Sequence, residues 1–77
     1  MMTTIHIAIG DDADLDSIQQ DYIDPIKQLL HKNRIDVISL NDVLDENFDT
    51  VLELEVECCD YDEALLIIGR SKFVIVD

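Results

Sequence analysis

Positive charge is what this sequence has least of. Five Lys and Arg stand against 18 Asp and Glu, a formal net charge of −13. Such a chain repels phosphate backbones and anionic bilayers, which counts against direct nucleic-acid binding and against a membrane partner, and it draws basic partners inward. Tryptophan is absent, and the two Phe and two Tyr show no stacking pattern. With one Pro and two Gly there is no linker or low-complexity stretch, so the chain reads as one domain, 1–77. Cys58 and Cys59 are the only cysteines. No C-x-x-C spacing exists, and no second Cys/His cluster could complete a zinc site. Neighbours on a strand point to opposite faces, so the two read as reduced thiols, one buried and one exposed. The longest apolar run, Ala64–Ile68, is far short of the roughly 20 residues that span a bilayer. The start, Met1-Met2-Thr3-Thr4, lacks a basic region followed by a long apolar stretch. No signal peptide is therefore expected, and a cytoplasmic location is the default.

What is present is a folded domain. Apolar residues make up 48% of the chain and gather in short runs, too many for a disordered acidic tail. A chain of 77 residues buries only about 60% of its unfolded surface. That thin core leaves little room for a walled active site and favours a binding module over an enzyme.

Ile5-His6-Ile7-Ala8-Ile9 alternates and is β-branched, which predicts a strand ended by Gly10. Asp11-Asp12-Ala13-Asp14 leads into a helix whose stripe is Leu15, Ile18, Tyr22, Ile26 and Leu29, with Ile23 and Leu30 alongside. Pro25 should kink it, or Asp24-Pro25 should start a second piece, giving helices near 14–23 and 25–32 with Asn33 as the stop. Arg34–Leu40 (RIDVISL) predicts a second strand, and the polar run Asn41–Asp49 a loop with room for a helical turn around Val43-Leu44. Thr50–Cys58 (TVLELEVEC) alternates most cleanly, with Leu52, Leu54, Val56 and Cys58 on one face and Glu53, Glu55 and Glu57 on the other. Asp60 with Glu63 resembles a capping box for a helix stopped at Gly69, against the competing reading of a hairpin strand. Lys72–Asp77 (KFVIVD) predicts a last strand.

The expected fold is therefore α/β of the α+β sandwich kind. It is a ferredoxin-like β-α-β-β-α-β chain with a four-stranded sheet and two helices on one face. Alternation then sends Ile5, Ile7, Ile9, Leu52, Leu54 and Val56 toward the helices. The uncovered face should hold His6 and Ala8, the row Glu53, Glu55 and Glu57, then Arg34, Asp36, Ile38 and Leu40 from the second strand and Val74 and Val76 from the last. An acidic centre calls for a basic covering surface, since buried carboxylates need partners. Apolar margins at Ile38, Leu40, Val74 and Val76 suit docking or a homodimer. The partner-binding residues expected are thus Glu53, Glu55, Glu57, Asp36, Ile38, Leu40, Val74 and Val76.

The other constellations are weaker. Asp12-Ala13-Asp14-Leu15-Asp16 opens like a calcium loop, but Ser17 and Ile23 stand where that loop needs Gly and Glu. His6 beside the Glu row is the one metal or general-base candidate, and its bland alternative is a surface His among carboxylates. No cofactor is expected. The β-α-β-β-α-β order and the run Ile26–Leu40, a helix leading directly into a strand, resemble small regulatory domains of the ACT type. That resemblance implies a small ligand bound near Gly10, with Asp11 and Asp12 beside it, although aspartates depart from the family pattern. The leading expectation is a small acidic protein-binding module, an inhibitor or regulator of a basic, nucleic-acid-binding protein. The alternatives are an ACT-like ligand domain and a minor metal-dependent enzyme. Small acidic α/β proteins of the first type set carboxylates where phosphates would lie.

Overall fold

A computed structural model of the chain describes residues 1–10, 14–44, 46 and 49–76. In order, the elements are β1 (Met2–Ala8), α1 (Leu15–Ile18), a π-helical segment (Gln19–Ile23), α2 (Asp24–Lys32), β2 (Ser39–Leu44), β3 (Thr50–Glu57), a 3₁₀ turn (Cys58–Asp60) and α3 (Tyr61–Gly69). The sheet has three strands in the order β1-β3-β2, both pairings antiparallel. The most regularly alternating run in the sequence thus becomes the central strand. Ile5 and Ile7 pair with Leu54 and Leu52, and all four are at most 1% exposed. They pack with Ile18, Ile23, Ile26 and Leu30 from the first helical stretch and Ala64 and Ile68 from α3. One face of the sheet is covered in this way.

The first helical stretch is one rod. Asp14, with extended backbone, caps it by accepting the Ser17 N–H at 2.8 Å. Backbone at Ile18, Ile23 and Asp24 stays right-handed helical through both junctions. Pro25 explains the π turn. In an α-helix its ring would crowd the carbonyl four residues back, at Asp21. Here the bonding opens ahead of it, with Asp24 N–H reaching the Gln19 carbonyl five residues back. The extra residue also rotates the buried stripe: Ile18 and Ile23 are buried, Tyr22 packs partly buried against the core, and Leu15 is left 75% exposed. The helical backbone therefore runs unbroken through Pro25.

The rod ends on Arg34, whose φ is +63°. Its N–H bonds the His31 carbonyl while the Ile35 N–H bonds the Leu30 carbonyl, the two bonds of a Schellman stop. Ile35, 2% exposed, then packs near Leu30, which is fully buried.

This geometry corrects the expected second strand. Residues 34–38 are spent ending the helix and crossing to the sheet, so β2 begins at Ser39 and takes in Asn41–Leu44, which had looked like loop. The four-stranded sheet is also corrected to three strands. The C-terminal run makes only a single bridge, Ile7 to Ile75, flanked by bonds from Ala8 N–H to the Val74 carbonyl and from Val76 N–H to the His6 carbonyl. Side chains anchor the tail as well: Phe73 is 8% exposed, and its ring lies 5.9 Å from that of Tyr22. Residues 61–69 are helical, as the favoured reading had it, but no side chain caps α3. A 3₁₀ turn feeds directly into it, and that turn exposes both Cys58 and Cys59, so neither is the buried thiol expected. Among the described residues, no helix is long and apolar enough to cross a membrane.

Candidate functional site

Strand register places four rows on the sheet face that the helices leave uncovered. They are Met2–Glu57, Thr4–Glu55–Ser39, His6–Glu53–Asn41 and Ala8–Val51–Val43. Because Ile75 sits opposite Ile7 on the helix side, Val74 and Val76 turn toward this open face, 60% and 48% exposed. The face is therefore graded. One end is apolar, with Val74, Ala8, Val51 and Val43 across it, and Val51 is only 6% exposed despite lying away from the main core. Toward the other end the central strand carries only carboxylates.

Each of those carboxylates has a neighbour. His6 Nε2 donates to Glu53 Oε2 at 3.2 Å. The Ser39 hydroxyl donates to Glu55 Oε1 at 2.9 Å. The amino group of Met1 lies 3.4 Å from Glu57 Oε2. The pairs stay wet: the side chains of Glu53 and Glu57 are 37% and 48% exposed. Alternate residues of a strand stand roughly 7 Å apart. Two carboxylates at that distance repel by about 0.6 kcal/mol in a water-like dielectric, and more once water is displaced. The row thus has spare negative potential that its own few donors do not cancel.

The expected residues divide. Glu53, Glu55, Glu57, Val74 and Val76 meet on the open face. Leu40 does not: it pairs with Leu54 on the helix side and is 6% exposed. Ile38 precedes β2, and Asp36 lies in the crossing segment; both border a hollow beside α2 rather than the Glu row. The late start of β2 reverses the assumed parity, so Ser39, Asn41 and Val43 replace them at that margin. Ile35 and Val37 pack on the core side as assumed, but Leu40 does too, so strict alternation breaks between Val37 and Leu40, which residue type alone does not signal.

The alternative sites fare less well. The Gly10 N–H, which a ligand would need, donates to the Tyr22 hydroxyl at 3.1 Å. Asp11 and Asp12, and with them the start of the calcium-like run, lie outside the described residues. No three His, Cys, Asp or Glu among the described residues gather to hold a metal, so His6 and the Glu row do not form a metal cluster. No family model, curated protein or solved structure matches this chain.

Proposed function

We propose that the uncovered sheet face docks a basic surface of another protein, and that the chain acts as an inhibitor or regulator of a nucleic-acid-binding partner. The observation that supports this best is the placement of Glu53, Glu55 and Glu57 in register on the central strand, on a face with no helix over it. Cations brought by a partner relieve the repulsion within the row, and the surrounding charge of −13 speeds their approach. Val74, Val76 and Met2 supply apolar contact beside the row, the arrangement of a docking patch with an adhesive margin.

The test separates this face from net charge. Neutralising Glu53→Gln, Glu55→Gln and Glu57→Gln together should abolish the salt-sensitive capture of basic proteins by the tagged chain. Neutralising Asp16→Asn, Asp21→Asn and Asp62→Asn, exposed elsewhere, changes net charge equally and should leave capture intact. Equal loss in both variants would show that charge acts non-specifically and would remove the face from the account.

A further inference from the structure

A second feature lies apart from the carboxylate row. Between α2 and the segment entering β2 is an open hollow of about 710 Å³, within the size range of small-molecule sites. Lys27 and His31 stand one helical turn apart on its rim, and Ile35, Val37, Ile38 and Leu40 line it. Ile35 and Leu40 are buried at its floor, while Ile38 is 42% exposed.

The charges here run against the rest of the molecule. Lys27, Lys32 and Arg34, three of the five Lys and Arg, lie on α2 or just after it, and Lys27 borders the hollow. With 18 acidic residues in the chain, Lys27 and His31 still form no ion pair among the described residues. Asp36 borders the same hollow without reaching either of them. The overall negative field does not decide the matter at this range. Charges beyond a Debye length, about 8 Å at physiological ionic strength, are largely screened, whereas a ligand in the hollow touches Lys27 and His31 directly.

We infer that the hollow binds a small organic carboxylate with an apolar body. The carboxylate would accept hydrogen bonds from Lys27 Nζ and the His31 ring, and the body would cover Ile35, Val37 and Ile38. The site uses none of the three glutamates of the open face, so it stands or falls separately from the docking surface.

Phenylacetate is a suitable probe, with acetate lacking the apolar body and 2-phenylethanol lacking the charge. In an amide chemical-shift titration of the full chain, phenylacetate should shift residues 27–31 and 35–40 saturably. Acetate and the alcohol should each bind at least roughly tenfold more weakly, the loss expected for one charge-assisted hydrogen bond or its apolar equivalent. Lys27→Glu should weaken phenylacetate by a similar factor. Arg70→Glu, the same charge change away from the hollow, should alter it by no more than about twofold because of screening. Both positions are exposed, and unchanged spectra of the free variants would confirm that each folds. Absence of saturable shifts, shifts centred elsewhere, or equal binding of acid and alcohol would overturn the site.

Discussion

Replacing Phe73 with Ala is the most informative test of how the C-terminal run is held. If the tail is a side-chain anchor rather than a strand, stability should reside in Phe73 and not in its exposed neighbours. Phe73 is 8% exposed and packs against Tyr22 at 5.9 Å between ring centroids. Burying such a ring contributes about 1.5–3 kcal/mol, and truncation leaves a cavity as well, so Phe→Ala changes in cores typically cost 3–5 kcal/mol. The lower end, about 3 kcal/mol, suits a site near a chain end that can partly collapse. A domain of 77 residues has a total stability of roughly 4–12 kcal/mol. The variant should therefore lose a quarter or more of it, with Tm falling by about 12–24 °C. Val74→Ala and Val76→Ala, 60% and 48% exposed in the wild type, should each cost no more than about 0.5 kcal/mol. Urea unfolding followed by far-ultraviolet circular dichroism reads all three. Losses at Val74 and Val76 comparable to that at Phe73 would mean that the tail is a fully packed strand covered on both faces. A costless Phe73→Ala would mean that the tail is not docked.

Three further outcomes follow from single features. Arg34→Gly should raise stability by about 1 kcal/mol, because a β-carbon in the left-handed region costs roughly 1–2 kcal/mol and Gly gives part of that back through its looser unfolded state; a fall in Tm would deny the helix stop its αL geometry. Accepting the Ser17 N–H holds the Asp14 carboxyl below its ordinary value of 3.8. Its contribution is complete above that value and is lost as pH falls through the lower folded value, so the Tm gap between wild type and Asp14→Ala should close in acid while Asp14→Asn stays near wild type at neutral pH. A gap independent of pH would contradict the cap. Both Cys58 and Cys59 are exposed, so a thiol reagent under native conditions should titrate two groups at comparable rates, and a single reactive thiol would speak for the opposite-faces arrangement of an extended strand.

Where local pattern and tertiary demand agree, the sequence is a good guide. β1 and β3 read directly from alternation, because each has one face on the helices and one toward solvent. The helical nature of 61–69 was legible from Ala64 and Ile68 at a four-residue spacing, though the capping box at Asp60 and Glu63 was not how that helix begins. The errors share one origin in backbone details that residue type signals weakly. Pro25 reads as a kink or a break, yet one π turn absorbs it, burying Ile23 and leaving Tyr22 partly buried against the core. A non-glycine residue in the αL position at Arg34 was invisible, and it delays β2 to Ser39. Alternation then breaks between Val37 and Leu40, both on the core side, so Leu40 turns inward while Ile38 and Asp36 border the hollow. The row of three glutamates lies on the face that alternation gave it because it sits on the central strand, whose register is fixed from both sides. Its margins lay on edges, where register has least to hold it.

The central claim is that the glutamates of β3 look out from an uncovered face while the leucines between them are sealed beneath the helices. Single cysteines at positions 52, 53, 54 and 55, in a Cys58→Ser, Cys59→Ser background, measure this directly through alkylation rates in the native state. Glu53→Cys and Glu55→Cys should react close to the rate of the unfolded chain, and Leu52→Cys and Leu54→Cys orders of magnitude more slowly, through opening alone. Equal protection at all four positions would contradict the account, since the face would then be covered and no partner could reach it.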